Sequence, residues 1–154
     1  MDRTDREILK LLNENARMTA SAIATRVNLS VSAVTERIHR LEERGIILGY
    51  SLLIDEKAIG KPIRAYLEVT LETARHIDGF LRAVLRLEEI IRCDHLAGEF
   101  DFLLLAQAPH VDAIHHLHRT LNALPEVKQI RVRFIMKTEK KQASSISFPT
   151  EENT

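Results

Sequence analysis

The side chains best suited to chemistry lie on one predicted helix that starts at residue 30. Its outward face carries short polar side chains first and arginines further on, namely Ser32, Ala33, Thr35, Glu36, Arg37, His39 and Arg40. Small hydroxyl and methyl groups near a helix N-terminus can approach the base edges of DNA, and arginines further along can reach phosphates or guanine. We predict that this helix binds double-stranded DNA. Ser30 would start the helix, Ser32, Ala33 and Thr35 would lie at base edges, and Arg37 and Arg40 at phosphates or guanine.

Histidines are a second group with possible chemistry, at His110, His115, His116 and His118. Only His115 and His118 share a helical face, and a metal site needs at least three converging ligands. We therefore predict no metal and no cofactor. A polar surface near a subunit contact, sensitive to histidine charging at mildly acidic pH, fits the spacing better.

A catalytic site is the alternative of a different class. Cys93 and His95 alternate on a predicted strand and share a face, whereas Asp94 points away from both. A small residue packed in a strand explains Cys93 more simply, and no phosphate-binding glycine loop or nucleophile elbow occurs elsewhere. The sequence therefore predicts a protein that is not an enzyme.

Three short helices must position the DNA-binding face. Thr4 and Glu7 have capping-box spacing and predict a helix over about residues 4–15. Thr19 predicts the cap of a second helix and Ser30 that of a third, which ends where Gly45 tolerates a left-handed cap. Two helices joined by a short turn behind a supporting helix form a helix-turn-helix pattern, although a generic three-helix bundle has the same spacing.

Beyond an extended hinge over residues 46–60, strands and helices alternate. Residues 63–71 have strand periodicity, a helix follows a cap at Thr73, and two extended runs (89–97 and 100–108) meet at Gly98-Glu99. Pro109 suits the first turn of another helix, and alternation from Gln129 to Met136 predicts a last strand. The order βαββαβ predicts a ferredoxin-like domain over residues 61–141. A DNA-binding domain over residues 1–45 precedes the hinge, and a polar tail over residues 142–154 follows the ferredoxin-like domain. In the tail, Ile146 and Phe148 suggest a short strand.

One predicted strand implies self-association. Residues 102–106, Phe-Leu-Leu-Leu-Ala, are apolar at consecutive positions and so point to both faces of the sheet. Both helices of a βαββαβ unit cover the same face, so the other face needs a second cover. A second subunit is the simplest cover and predicts a homodimer; the hinge or the tail is the alternative.

Composition limits the remaining classes. The 154 residues carry 22 basic and 22 acidic side chains, with a pI of about 7.1. DNA binding must therefore rest on a local positive surface. The single cysteine excludes an internal disulfide, and the polar N-terminus and lack of a long apolar run predict a cytoplasmic protein without a membrane contact. An RNA-binding sheet would need more aromatic side chains than Tyr66 and Phe102 supply.

Several motifs follow one another along the chain, at residues 5–12, 15–19, 29–47, 98–101 and 124–127. Their types and order resemble the Lrp/AsnC family of bacterial and archaeal transcription regulators. Residues 5–12 match its opening D-x-x-I-L-x-x-L, residues 15–19 match its next turn, and residues 29–47 resemble its recognition helix and exit. Gly98-Glu99-Phe100-Asp101 resembles its G-x-x-D signature. Leu124-Pro125-Glu126-Val127 resembles its L-P-G-V turn, with Glu126 in place of the usual glycine.

The resemblance implies an α+β fold with an N-terminal winged helix-turn-helix domain and a C-terminal ferredoxin-like βαββαβ domain. It further implies homodimers, association into tetramers or octamers, and an effector, often an amino acid, near the G-x-x-D loop. That places Gly98, Glu99 and Asp101 by the effector; a carboxylate that only fixes the turn is the alternative for Asp101. An architectural DNA-binding protein without an effector is the alternative function. Residues 17–44 hold five arginines and three glutamates, so the excess positive charge of one DNA-binding domain is small. Useful affinity for DNA therefore requires the DNA-binding domains of two subunits, which we call paired heads.

Overall fold

The computed structural model describes residues 1–140, which form two compact units, residues 1–52 and 53–139. The division falls inside the predicted hinge. The predicted tail over 142–154, including the strand suggested at Ile146 and Phe148, lies outside the described residues. Within residues 1–140, no helix is both long and apolar enough to cross a bilayer.

The first unit is built from three helices, α1 (Arg3–Glu14), α2 (Ala20–Val27) and α3 (Val31–Glu43). Their apolar sides meet in a small core whose buried members are Ile8, Leu11, Leu12, Ile23, Ala24 and Val34. The small residue Ala24 permits the close approach of a neighbouring helix. The predicted caps at Thr19 and Ser30 are confirmed, since their side-chain oxygens accept from the backbone N–H groups of Ala22 and Ala33.

The first predicted cap was wrong. Asp2, not Thr4, caps α1: its carboxylate accepts from the backbone N–H of Asp5 at 2.8 Å, and the Asp5 carboxylate accepts from the backbone N–H of Asp2 at 3.2 Å. This is a capping box with aspartate at both positions. A carboxylate is a strong N-cap acceptor and also favours the positive end of the helix dipole, which explains why it displaces the threonine two residues later.

The second unit is a four-stranded antiparallel sheet with helices on one face. Its strands are β1 (Ile63–Leu71), β2 (Ile90–His95), β3 (Phe102–Ala108) and β4 (Val127–Phe134), in the spatial order β2-β3-β1-β4. Helices α4 (Ile77–Val84) and α5 (Val111–Asn122) complete the predicted βαββαβ order. The core forms between helices and sheet and includes Leu67, Phe80, Phe102, Leu104 and Leu121.

Two details of this unit differ from prediction. Thr73 makes no side-chain cap bond, because a 3-10 turn at Ala74–His76 separates it from α4. Pro109 does not lie in the first turn of α5; His110 caps that helix, with Nδ1 accepting from Ala113 N at 3.2 Å. Helix α5 therefore begins after Pro109, whose ring fixes the approach of the chain.

The unusual Glu126 is explained by a neighbour on α4. A Cβ atom added to Gly79 would come within 2.5 Å of Glu126 Oε1, so the carboxylate lies directly over the glycine backbone. Gly79 thus provides the room that a side chain at residue 126 requires.

Candidate nucleic-acid interface and effector loop

Caps at both ends of α3 fix the orientation of the face that the sequence predicts to bind DNA. Ser30 Oγ accepts from Ala33 N at 3.2 Å and lies 3.1 Å from Ser32 Oγ, which leaves two hydroxyl groups together at the N-terminus. At the other end Gly45 adopts a φ of +64°, and Ile46 N donates to Leu41 O at 2.9 Å. Because Val34 and Leu41 are buried, these caps and contacts fix which side of α3 faces outward.

The outward side is a stripe of four exposed residues at helical spacing, Ser32, Thr35, Glu36 and His39. Thr35 Oγ1 donates to Val31 O at 2.9 Å, so its oxygen and methyl group remain for a partner. Ala33 is half-buried beside the stripe. Arg40 is 57% exposed, and its Nη2 lies 3.7 Å from Glu36 Oε1. Glu36 and His39 were predicted on this outward face but were not among the residues predicted to contact DNA.

Arg37 lies elsewhere than expected. Its Nη1 donates to Asp2 Oδ2 at 2.6 Å and to Asp5 Oδ1 at 2.7 Å, and its side chain is 25% exposed. The guanidinium therefore ties α3 to the capping box of α1 and is not directed outward. We call this set of three side chains, Asp2, Asp5 and Arg37, the carboxylate clamp.

The electrostatics of the carboxylate clamp are mutually reinforcing. The Asp5 backbone N–H and then the Arg37 guanidinium hold the pKa of Asp2 below its ordinary value. The hydrogen bonds to Asp2 and Asp5 raise the pKa of Arg37 above its already high value. Asp2 and Arg37 are thus charged at neutral pH, and one nitrogen of the guanidinium donates to both carboxylates.

The loop between β2 and β3 carries the predicted effector residues. Asp101 Oδ2 accepts from Leu71 N at 2.7 Å, and Asp101 N donates to Val69 O at 2.9 Å. This carboxylate therefore fastens the loop to the end of β1. Gly98 has a φ of +158°, and a Cβ atom added there would meet nothing within 4 Å. Glu99 is exposed.

Beside this loop, the helix-free face of the sheet forms a cleft of about 330 Å³. It is lined by Glu68, Thr70, Glu99, Phe100, Gln129 and Arg131. The register pairs Thr70 with Gln129 and Glu68 with Arg131, so strand alternation brings these four together on one face. Thr70, Gln129 and Arg131 line this cleft but were not predicted from the sequence. The two predicted alternations on β1 and β4 contained the signal, but only the register joins them.

The same face, which we call the open face, is apolar in the middle and charged at both sides. Tyr66, Leu103 and Leu105 form the partly exposed apolar centre. The Arg133 guanidinium donates to the Glu68 carboxylate on one side, and Arg92 Nε donates to Asp94 Oδ2 at 2.7 Å on the other. An apolar centre with a charged border is typical of a protein interface.

The histidines and the cysteine are not gathered into a reactive site. Burial, and to a smaller extent the charge of Asp94, raise the pKa of the Cys93 thiol, which disfavours the nucleophilic thiolate. His95 stacks on Phe102 with ring centroids 4.6 Å apart. His115 and His118 line an apolar groove with Val111 and Phe134. Among the described residues no cluster of three metal-ligating side chains occurs.

Comparison with known proteins covers both units. Residues 1–47 match the family model described as winged helix-turn-helix DNA-binding, and residues 64–145 match the Lrp/AsnC ligand binding domain. The chain is 34% identical to the leucine-responsive regulatory protein of Escherichia coli K12, over 97% of this chain and 93% of that protein.

Two solved structures extend the likeness to three dimensions. A transcriptional regulator from Neisseria meningitidis, solved as its complex with L-Met, aligns with a TM-score of 0.89 at 30% identity, over 95% of this chain and 96% of the other. The leucine response regulatory protein of Mycobacterium tuberculosis aligns with a TM-score of 0.83 at 31% identity, over 96% and 100%.

Proposed function

The chain belongs to the Lrp/AsnC family of DNA-binding transcription regulators, and from that premise we propose that it binds operator DNA in the cytoplasm as a homodimer or a larger assembly of dimers, under control of an amino acid. The exposed stripe on α3 carries the first part of this proposal. This face combines small hydroxyl side chains at the start of the helix with a nearby exposed arginine, Arg40.

In this proposal α3 enters the major groove with its N-terminal half. Ser30, Ser32, Ala33 and Thr35 approach base edges, because their short side chains let the helix backbone come close. Arg40 is exposed and reaches a phosphate or a guanine. Arg37 acts as a positioning residue through the carboxylate clamp, so that it sets the angle of α3 without touching DNA.

Dimerisation is supported by the open face. Tyr66, Leu103 and Leu105 would be covered by the same residues of a second copy, which removes apolar surface from water. The hinge residues Leu48, Leu52 and Leu53 are also largely exposed and add apolar surface available to a partner. Paired heads then contact two half-sites about 34 Å apart, or a multiple of that spacing, and their phosphate contacts add.

The cleft beside the Gly98–Asp101 loop supports an amino-acid effector. A free amino acid carries an ammonium and a carboxylate, and the cleft offers a carboxylate at Glu99 and a guanidinium at Arg131. In this proposal Gly98 lets the ligand approach the backbone, Glu99 binds the ammonium, and Asp101 holds the loop in shape. The relative from N. meningitidis was solved with L-Met, and the E. coli relative is named as leucine-responsive.

Two measurements test the proposal. Gel shift with the DNA upstream of the chain's own gene is expected to show a complex that scrambled DNA of equal length competes for poorly. A thermal-shift screen of the twenty amino acids, followed by light-scattering mass measurement with any hit, is expected to find a ligand that changes the stability or the assembly. Specific DNA binding without any amino-acid effect would favour an architectural DNA-binding protein instead.

A further inference from the structure

An acidic side chain stands in the middle of the face that meets DNA. Glu36 is the sixth residue of α3 and lies on the stripe with Ser32, Thr35 and His39. Its side chain is 70% exposed, so it projects into solvent in the absence of DNA. Neither packing in the core nor capping of the helix explains its presence there.

A carboxylate at this position opposes DNA binding in general. Every phosphate of the duplex repels it, and the repulsion acts on any sequence. Arg40 Nη2, 3.7 Å away, offsets part of the charge but leaves the carboxylate oxygens accessible. In the major groove, the partners that can satisfy a carboxylate are exocyclic amino groups, and among the base contacts of acidic side chains the N4 amino group of cytosine is the usual one.

From this we propose that Glu36 is a specificity-determining residue that accepts a hydrogen bond from cytosine N4. The contact would be gained only where a C·G pair stands at one position of each half-site, whereas the repulsion applies everywhere. Glu36 therefore lowers affinity for other DNA and raises the ratio of specific to non-specific binding, which is selection by an unfavourable interaction with the wrong partner. The inference rests on the proposed placement of α3 in the major groove.

The position of Glu36 along α3 agrees with this role. Ser32 and Thr35 precede it on the N-terminal half of the helix, the part that helix-turn-helix proteins direct at base edges. Glu42 and Glu43 lie at the C-terminal end, where Tyr50 donates to Glu42 at 2.9 Å and His39 lies 3.6 Å from Glu43. These two carboxylates, unlike Glu36, lie beyond the half of the helix that is proposed to read bases.

The test is selection of binding sites by the full-length chain from a library of duplexes with a random core. Wild type is compared with Glu36→Ala, Glu36→Gln and the control Glu43→Gln, which removes a charge from the same helix. We expect wild type to enrich a motif with a fixed C·G pair in each half-site. At that position Glu36→Ala is expected to lose the preference, and Glu36→Gln to shift it toward adenine, the base that glutamine binds with two hydrogen bonds.

Affinity measurements on defined duplexes complete the test. Replacing the C·G pair is expected to weaken binding by wild type about 5-fold or more, which is the smallest usual effect of one mismatched base pair. The same replacement is expected to weaken binding by Glu36→Ala less than about 2-fold. Affinity for scrambled DNA is expected to rise for both Glu36→Ala and Glu43→Gln, since each loses a negative charge. If Glu36→Ala and wild type select the same motif, the proposal is overturned. If wild type selects no motif, the sequence-specific function itself fails.

Discussion

The two units differ in whether one chain completes their working surface. In the first unit, the helical core is closed around Ile8, Ile23 and Val34, and the surface proposed to meet DNA is polar and fully formed. In the second unit, helices close one side of the sheet, while Tyr66, Leu103 and Leu105 remain partly exposed on the other. The comparison indicates that one chain completes the surface proposed to read DNA, whereas the surface proposed for assembly needs a second chain to cover it.

The largest predicted effect, on assembly and operator binding, comes from a charged substitution in the apolar centre of the open face. Leu105→Asp places a charge in the apolar centre, where burial without a partner is costly, and we expect the dimer to become a monomer. Loss of the paired heads is expected to weaken operator binding by about 100-fold or more. Light scattering and gel shift measure the two effects.

Leu85→Asp is the matched control, because Leu85 is 75% exposed and lies at the end of α4, away from the open face. It is expected to remain dimeric. A Leu105→Asp dimer of wild-type mass would show that the open face is not the subunit contact.

The carboxylate clamp offers the next largest effect and concerns the first unit alone. Arg37→Ala leaves the Asp5 carboxylate, 13% exposed, without its ion pair, and is expected to lower the free energy of unfolding by about 1–3 kcal/mol. Arg40→Ala is expected to change stability by less than about 0.5 kcal/mol, because its ion pair is on the surface. Urea unfolding followed by helical circular dichroism measures both.

The salt dependence of DNA binding is expected to differ between the Arg37 and Arg40 variants. Arg40→Ala is expected to reduce the slope of log affinity against log salt concentration by about 1, the loss of one phosphate contact. Arg37→Ala is expected to keep the wild-type slope while weakening binding. A reduced slope with native stability would instead make Arg37 the phosphate contact that the sequence predicted.

Two variants of the Gly98–Asp101 loop, in the second unit, are expected to have smaller effects. Asp101→Ala leaves the Leu71 N–H without its acceptor, so we expect the free energy of unfolding to fall by about 1–2 kcal/mol. We also expect this variant to lose any thermal shift that L-Met or L-Leu causes in wild type. Glu99→Gln is expected to abolish the thermal shift without lowering stability, because Glu99 is exposed and its proposed role is to bind the ammonium group of the ligand. Equal ligand shifts in wild type and Glu99→Gln would remove Glu99 from the site.

The smallest effect is a pH dependence of the first unit. The folded pKa of Asp2 lies below its ordinary value of 3.8, because Asp5 N–H and Arg37 stabilise the charged form. Its stabilising contribution is therefore fully present above pH 3.8 and is lost as the pH falls through the lower, folded pKa. Urea midpoints of wild type and Asp2→Asn are expected to differ at neutral pH and to converge in acid. A difference that persists in acid would contradict this origin.

Local patterns predicted the elements well and their ends less well. Apolar periodicity, together with cap residues and apolar runs, located all five α-helices and all four strands of the described chain, because burial shapes these patterns. The caps depend on competition between neighbouring side chains. Asp2 caps α1 where Thr4 was expected, and His110 caps α5, whereas Pro109 was expected in the first turn of that helix. Several side chains near a helix start can accept the same N–H groups, and sequence spacing does not rank them.

Contacts between residues that are far apart in the chain could not be predicted from the sequence. Arg37 lies 35 residues from Asp2, and only the packing of α3 on α1 makes the carboxylate clamp visible. Arg131 reaches the cleft because the strand register pairs it with Glu68. By contrast Gly98, Glu99 and Asp101 are neighbours in one loop, so a short motif was sufficient to bring them together.

The fastening of the Gly98–Asp101 loop has a mechanical consequence. Asp101 holds two backbone groups at the end of β1, and β1 is the strand that hydrogen-bonds to both β3 and β4. A molecule that displaces this loop must therefore pull on the middle of the sheet and not on a free edge. Because β1 lies between β3 and β4, a displacement of this loop would act on a strand with a neighbour on each side.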